Sequence, residues 1–297
     1  MTTTTVDVML PFYGDAARLQ IAVASVLAQD RDDFRLVCVD DRAPDPEAGD
    51  WVRSLRDPRL HYVSNPHNLG LAANFNRCVD LVTAERFVMM GADDVMLPDY
   101  LDTVLKLADA APRAAMIQPG VNVIDEVGDE YLPLADRVKA MVRPRVRGTA
   151  RELSGEFLAR SLTRADWAYF PSLLWRSDVV KHHRFNERYP IALDLALMLD
   201  IALSGGSMVV DDHVVFQYRR HRSSESATTA SDGSRFSQEL ELFADYRKRF
   251  AEAGWRAAHW EARAHIMTRL NAGAEALGAL RSGRFDRFAR LASFLVR

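Results

Sequence analysis

The chain has 297 residues, of which 48% are hydrophobic and 27% are charged, and its formal net charge is −3. This length suits one large domain or two small ones, and the balance of residues is typical of a globular protein with a substantial core. The weak negative charge excludes a broadly basic surface, so we expect no nucleic-acid partner.

Strands and helices alternate through the first third of the chain. Strands are predicted at 6–11, 34–39, 60–63 and 87–90, with helices at 16–28, 51–55 and 72–82. Such βαβ units form a parallel sheet, and ligands of open sheets bind beyond the carboxyl ends of the strands. Because Pro11, Tyr13, the pair Asp40–Asp41 and the pair Asp93–Asp94 follow three of these strands, we expect one crevice to gather them.

The pattern changes after about residue 120. A strand is predicted at 116–124, a charged and loop-rich stretch at 125–150, short apolar runs at 170–175 and 207–210, and a long helix at 193–203. Residues 219–237 are polar and are expected to be mobile, and residues 236–297 predict two or three helices.

Targeting signals, membrane-spanning runs and cysteines indicate where in the cell a protein works. No secretory signal pattern precedes Val6, and no apolar run approaches the roughly 18 residues that cross a bilayer. Cys38 and Cys78 are the two cysteines, and both lie in apolar runs, which favours buried, reduced thiols. We therefore expect a cytoplasmic protein.

Two adjacent carboxylates, Asp93 and Asp94, follow the strand predicted at 87–90. Neighbouring carboxylates repel each other unless a cation or a donor-rich ligand lies with them. Mg²⁺ and Mn²⁺ prefer carboxylate oxygens, and Mg²⁺ is commonly held by one or two protein carboxylates together with phosphates. The pair therefore predicts a metal-bridged phosphate site, and a helix-capping Asp pair is the alternative.

Seven short segments resemble, in order, motifs of the family 2 glycosyltransferases of GT-A fold. They are residues 8–13 (VMLPFY), 24–29 (ASVLAQ), 39–45 (VDDRAPD), 68–74 (NLGLAAN), 92–94 (ADD), 193–197 (LDLAL) and 218–221 (YRRH). The resemblance covers roughly residues 6 to 222. It implies an α/β, Rossmann-like nucleotide-binding fold with a mostly parallel central sheet and a C-terminal helical extension.

The same resemblance implies an activity and its partners. A sugar would pass with inversion from a nucleoside-diphosphate sugar, with UDP- or dTDP-sugars favoured, to a hydroxyl of a glycan or lipid-linked acceptor in surface polysaccharide or glycoconjugate synthesis. Residues 1–120 would form the donor-binding half, residues 121–222 the acceptor-binding half of the same domain, and residues 223–297 a mobile loop and helices. A divalent ion, Mn²⁺ or Mg²⁺, is the implied cofactor.

At the metal, the resemblance implies Asp94 as the best ligand, with Asp93 nearer the ribose or in the metal shell. His221 would reach the metal or the diphosphate, and Arg219 would contact phosphate; a solvated basic loop is the alternative for both. Gly91 stands where many relatives carry a first acid, which predicts fewer protein ligands.

Around the nucleotide, Asp41 would accept the ring N–H of a uracil or thymine, and Tyr13 would stack on that base. A half-buried tyrosine at a strand end is the alternative for Tyr13. Pro11 lies beside it, and a helix over the nucleotide would begin near Asn68, Gly70 and Asn74. Gly70 allows close approach of the backbone, whereas Asn68 is alternatively an N-cap.

The base that removes the acceptor proton is implied at Asp194, on an apolar segment where an isolated buried carboxylate is costly. An exposed Asp in a first helical turn is the alternative. Leu193 replaces the acidic neighbour that is usual in relatives.

Residues 281–297 carry arginines among Phe and Leu in a basic amphipathic pattern. They predict either peripheral contact with an anionic membrane, where a lipid-linked acceptor resides, or packing on the domain or in a homodimer.

Two other functions compete with glycosyl transfer. A non-catalytic nucleotide-sugar-binding protein is favoured by Gly91 and Leu193. A sugar nucleotidyltransferase normally needs a glycine-rich basic loop after the first strand, and residues 11–15 (PFYGD) do not provide one.

Overall fold

The computed structural model describes residues 5–146, 148, 150–221 and 234–295. Nine strands form one sheet within this part of the chain. The strands are β1 Val6–Phe12, β2 Phe34–Asp40, β3 Leu60–Ser64, β4 Arg86–Met89, β5 Val95–Met96, β6 Met116–Ile124, β7 Arg151–Ser154, β8 Leu174–Arg176 and β9 Ser207–Arg219. The helices that surround the sheet are α1 Ala16–Leu27, α2 Glu47–Ser54, α3 Leu71–Leu81, α4 Tyr100–Ala110, α5 Leu134–Val142, α6 Gly155–Ala165, α7 Ser177–His183, α8 Leu193–Leu203, α9 Ser234–Glu252, α10 Arg256–Ala264, α11 Ile266–Arg281 and α12 Phe285–Ala292.

The strand order is β3-β2-β1-β4-β8-β6-β9-β5, with β7 paired to β9. Strands β1 to β4 pair in parallel, as do β6 and β9, while β8, β5 and β7 join antiparallel. Parallel pairs make up most of the ladder, so the predicted α/β fold with a mostly parallel sheet and C-terminal helices is confirmed. The carboxyl ends of β1, β2 and β4 lie at one edge, where βαβ folds place ligands.

Alternation along the strands divides the core between the two faces of the sheet. Met9 packs on one face with Val37, while its neighbour Val8 packs on the other with Leu36. Burial on both faces explains why these strands are apolar at nearly every position. Cys38 and Cys78 are both buried and free, as expected, and burial raises the pKa of the Cys38 thiol to about 12.

Several predicted elements differ from the structure. The stretch 125–150, predicted as loop, contains helix α5, whose one buried residue is the charged Asp136, so an apolar pattern could not reveal it. The run at 170–175 divides into a 3₁₀ turn at Phe170–Ser172 and strand β8. Strand β9 continues past 210 as far as Arg219. The predicted mobility of 219–237 falls largely outside the described residues.

The C-terminal part contains four helices between residues 234 and 295, where two or three were predicted. Phe288, Leu291 and Phe294, the apolar side of the predicted amphipathic helix, pack against Phe236 and alanines of α11. That side is therefore used inside the protein, which agrees with the packing alternative for residues 281–297. In the described residues, we find no helix with the length and apolar character that a membrane span needs.

Candidate active site

A cavity of about 570 Å³ opens at the carboxyl edge of β1 and β4, a size typical of ligand sites. Its wall joins two groups of polar side chains. The first group, which we call the Asp93 cluster, is Tyr13, Arg18, Asp93, Asp94 and His221. The second group, the Asp194 cluster, is Lys139, Asp166, Asp194, Arg235 and Glu239.

The predicted site residues divide between this wall and the protein behind it. Tyr13, Asp93, Asp94, Asp194 and His221 line the cavity. Pro11, Asp41, Asn68, Gly70, Asn74 and Arg219 are not part of its lining.

Asp93 faces the cavity, with its side chain 32% exposed. Its Oδ2 lies 2.7 Å from Nε2 of His221, and Nδ1 of His221 lies 3.0 Å from Nη1 of Arg18. Arginine can only donate, so Nδ1 of His221 must accept, and Nε2 carries the hydrogen that is donated to Asp93. The histidine in this arrangement orients the Asp93 carboxylate.

Asp94 lies beneath this surface and is 1% exposed. Its Oδ1 accepts the backbone N–H of Arg219 at 2.9 Å, whereas Oδ2 is buried without a hydrogen-bond partner among the described residues. Burial and the nearby charge of Asp93 raise the pKa of Asp94 well above its usual range. Asp93 is thus the more accessible of the two carboxylates, and the expected role of Asp94 as the best metal ligand stays a prediction.

Gly91 has a direct role in this arrangement. A Cβ at this position would lie 2.5 Å from Oδ2 of Asp94 and 3.0 Å from Oδ1 of Asp93. An acidic side chain at position 91 would therefore collide with Asp94, since the Asp94 carboxylate lies where a side chain at 91 would begin.

Arg219, predicted to contact phosphate, and its neighbour Arg220 lie in different surroundings, and the phosphate contact of Arg219 stays a prediction. The Arg219 guanidinium donates to the carbonyl oxygens of Asp93 at 2.8 Å and Asp125 at 2.9 Å, so it holds the backbone together. Arg220 lines the cavity and forms an ion pair of 2.9 Å with the buried Asp136. Arg219 is the last residue of β9 and Arg220 follows it, and successive side chains of an extended chain point in opposite directions.

Asp41 organises the turn that precedes α3. Its buried carboxylate accepts the N–H of Leu69 at 2.9 Å, the N–H of Gly70 at 3.0 Å and the Asn65 amide at 2.8 Å. The Asn65 amide also donates to Asn74 at 2.9 Å, so Asn74 belongs to this buried network. The predicted contact of Asp41 with a base stays a prediction.

Gly70 is the N-cap of α3, which corrects the alternative that gave this position to Asn68. Oδ1 of Asn68 instead accepts the N–H of Gly70 at 2.8 Å. A Cβ at Gly70 would meet nothing within 4 Å, but φ there is +78°. The glycine is therefore required for its dihedral angle rather than for close approach.

Asp194 lies in the first turn of α8, and its Oδ1 accepts the N–H of Leu195 at 2.8 Å. Burial, followed by the charge of Asp166, raises the pKa of Asp194 to about 7, while Lys139 and Arg235 oppose the rise. A carboxyl that titrates near neutral pH suits general-base chemistry. The loop before α8 is fixed from α9, since Oε1 of Gln238 accepts the N–H of Ala192 at 2.9 Å.

The other members of the Asp194 cluster were not predicted from the sequence. Lys139 comes from α5 and has a pKa lowered by burial. Arg235 and Glu239 come from α9, where they form an ion pair of 2.7 Å at i,i+4 spacing. That spacing was the one available signal, and it is equally common on solvated helices.

No three or more Asp, Glu, His or Cys side chains in the described parts of the chain are arranged to hold a metal. A divalent ion would use Asp93, the unpartnered Oδ2 of Asp94 and oxygens of a bound diphosphate, a donor set that Mg²⁺ commonly accepts. His221 could bind through Nε2 only after moving its hydrogen to Nδ1 and releasing Arg18. The side chains therefore fit a metal that is completed by its substrate.

Residues 7–176, more than half of the 297, match the family model described as glycosyl transferase family 2. The chain belongs to glycosyl transferase family 2. Among relatives, an uncharacterised glycosyltransferase of Methanocaldococcus jannaschii, MJ1057, is 23% identical over 189 residues, which cover 62% of this chain and 59% of that protein. The chain spans 14 to 59% of the length of the curated relatives it matches.

Solved structures share the fold of this family 2 member. S. aureus TarS 1–349 in complex with UDP-GlcNAc has a TM-score of 0.62 at 13% identity, covering 97% of this chain and 90% of TarS 1–349. The mannosyltransferase PcManGT of Pyrobaculum calidifontis, in complex with GDP-Man and Mn²⁺, has a TM-score of 0.63 at 18% identity, covering 98% of this chain and 79% of PcManGT. These likenesses confirm the GT-A fold.

Proposed function

We propose that the protein transfers a sugar, with inversion, from a nucleoside-diphosphate sugar to a hydroxyl acceptor in the synthesis of a surface polysaccharide or glycoconjugate. The observation that carries this proposal is the single cavity that joins the Asp93 cluster to the Asp194 cluster. The first cluster suits an anionic leaving group with its metal, and the second suits a proton acceptor. The family and the nucleotide sugars bound by the structural neighbours support it.

At the Asp93 cluster, charge grows on the diphosphate as the glycosidic bond breaks. Arg18 and Arg220 line the wall there as cations, and Tyr13, 53% exposed, offers its ring to the base. Asp93 and Asp94 would hold Mn²⁺ or Mg²⁺, which when bound stabilises the leaving diphosphate electrostatically. This arrangement favours departure of the nucleoside diphosphate without a protein acid.

At the Asp194 cluster, a hydroxyl of the acceptor gives its proton to the Asp194 carboxylate while its oxygen bonds to the anomeric carbon. The bond to the diphosphate breaks on the opposite side of that carbon. Because one displacement completes the transfer, the anomeric configuration inverts. A non-catalytic binding protein would not need a carboxyl poised near neutral pH in this place.

Thermal unfolding with nucleotides tests the donor side. We expect UDP or dTDP, and the matching nucleotide sugar, to raise the Tm in the presence of Mn²⁺ and much less in its absence, since ligands that bind only the folded chain stabilise it. GDP and GDP-Man are measured for comparison, to show which nucleobase the donor site prefers. The variant Asp93→Asn should lose most of the metal-dependent part of the shift.

Asp99→Asn is the matched control for Asp93→Asn, because Asp99 lies 2.9 Å from Nε2 of His213 in an exposed pair outside the cavity wall. It should keep the full shift. A panel in which no nucleotide raises the Tm, with or without Mn²⁺, would refute donor binding.

We further propose that the acceptor is lipid-linked and that helix α11 contacts an anionic membrane. This helix buries Thr268 and alanines but exposes Ile266, Leu270 and Leu277, the second of them 59% exposed. On a helical projection, Arg269 and Arg281 flank this apolar stripe and no acidic residue lies within it. An apolar stripe bordered by cations fits the headgroup region of an anionic bilayer.

Flotation with vesicles tests this contact. The wild-type protein should float with vesicles that contain phosphatidylglycerol and not with pure phosphatidylcholine, and Leu270→Gln/Leu277→Gln should abolish flotation. Ile21→Gln/Met141→Gln removes exposed apolar residues elsewhere and should not. Absence of flotation, or a dimer in light scattering that the first double variant dissociates, would overturn the membrane assignment.

A further inference from the structure

Asp166 is a second carboxylate of the Asp194 cluster that the transfer described above does not use. It ends helix α6 in the left-handed conformation, with φ 41° and ψ 58°, and its N–H donates to the carbonyl of Leu162 at 2.7 Å. Asp, Asn and Gly tolerate this conformation best. The backbone therefore presents a short side chain to the cavity at a fixed position.

The Asp166 carboxylate is incompletely paired. Its Oδ1 is buried, and no described residue donates a hydrogen bond to it. An unsatisfied buried oxygen costs about 1–3 kcal/mol, and more when it is charged. A left-handed residue with an unpaired buried oxygen at a cavity wall is a feature that stability does not explain, and such features concentrate at functional sites.

Charged groups from several elements face the two carboxylates. They are Lys139 of α5, Arg220 just after β9 with its partner Asp136, and Arg235 and Glu239 of α9. Lys139 and Arg235 both interact electrostatically with Asp166 and Asp194. Arg220 and Arg235 are in addition paired with carboxylates of their own, Asp136 and Glu239.

We propose that Asp166 is a positioning residue that acts through Asp194: its carboxylate, held at a fixed place in the same cavity wall with one oxygen unpaired, makes Asp194 a stronger proton acceptor for the acceptor hydroxyl. This inference rests on Asp194 being the base, as proposed above. In the ionised pair, repulsion from Asp166 makes Asp194 a stronger proton acceptor. The raised pKa of Asp194, in which Asp166 is the second cause after burial, agrees with this role.

The pH dependence of donor hydrolysis tests the inference without a known acceptor, because water can take the acceptor's place. UDP-GlcNAc and GDP-Man, with Mn²⁺, are the probes, and release of the nucleoside diphosphate is the readout. For the wild type, the rate should rise with pH through about 7, where Asp194 loses its proton. In Asp166→Asn, loss of the negative charge should move this rise to lower pH by about one unit.

Asp166→Gly also tolerates the left-handed backbone and should give the same shift as Asp166→Asn. Asp286→Asn, on the exposed start of α12, is the control and should leave the profile in place. A rate lowered equally at every pH, with the rise unmoved, would overturn the role of Asp166 and indicate a structural residue.

Two further readouts separate the outcomes. If Asp194→Asn hydrolyses the donor as fast as the wild type, Asp194 is not the base, and the proposed function fails at that residue. The effect of Asp166 on Asp194 is then judged from the stability measurement alone. If the variants do not turn over, the fall in unfolding free energy between pH 4 and pH 7 can be followed instead. That fall should be smaller in Asp166→Asn and Asp166→Gly than in the wild type, and an equal fall would refute the coupling.

Discussion

Asp194→Asn should lower the rate of sugar transfer by about 10³-fold while leaving donor binding intact, since a positioned base contributes roughly 10² to 10⁴. The amide keeps the shape of the side chain and its contact with the N–H of Leu195, but it cannot accept the acceptor proton. Transfer kinetics and nucleotide-induced Tm shifts, measured side by side, check both halves of this expectation.

Asp178→Asn is a close control, because Asp178 also lies in the first turn of a helix and accepts the next N–H, that of Val179, at 2.9 Å. It lies outside the cavity wall, so transfer should be unchanged. If Asp194→Asn retained wild-type transfer, the base would have to be sought elsewhere in the cavity.

Asp194→Asn should also change the pH dependence of the free energy of unfolding. The pKa of Asp194 rises from 3.8 to about 7 on folding, so between these values the native chain binds more protons than the unfolded chain. The free energy of unfolding therefore falls as pH rises through this window. The amide does not titrate, so Asp194→Asn should be more stable than the wild type at pH 8 and close to it at pH 4.

Gly91→Ala should destabilise the protein by about 1–3 kcal/mol, as overpacking of a close-packed region does. The new Cβ would lie 2.5 Å from Oδ2 of Asp94, a carboxylate that is buried and bound to the N–H of Arg219. Moving it disturbs Asp93 as well, so we expect transfer to fall on the order of 10²-fold. Denaturant unfolding and transfer rates are the measurements.

Gly278→Ala is the control for Gly91→Ala, because it adds the same methyl group where there is room for it. Gly278 lies inside helix α11, and a Cβ there meets nothing within 4 Å. Alanine in a helix interior is favoured over glycine by roughly 0.5–1 kcal/mol, so this variant should be slightly more stable. A Gly91→Ala protein as stable as Gly278→Ala would contradict the crowding at Asp94.

The sequence predicted the parallel half of the sheet and the crevice at its edge, because strand periodicity and motifs there are local. It could not show that Asp94 is buried while Asp93 faces the cavity, since the Asp94 carboxylate is held by the N–H of Arg219, 125 residues away. It also missed α5, whose one buried residue, Asp136, is charged. Lys139, Asp166 and Arg235 come from three separate helices and lie close together only in the folded chain. No spacing in the sequence indicates that they share one site.

The segment that matches the family ends at residue 176, whereas Asp194, His221 and Arg235 lie beyond it. The matched segment contains four of the five residues of the Asp93 cluster: Tyr13, Arg18, Asp93 and Asp94. Three of the five residues of the Asp194 cluster, Asp194, Arg235 and Glu239, lie beyond it, and the loop before Asp194 is held by Gln238 of α9. Two chains that match the family equally well over residues 7–176 can therefore differ in most of the Asp194 cluster, and exchanging one loop between them would leave part of that cluster behind.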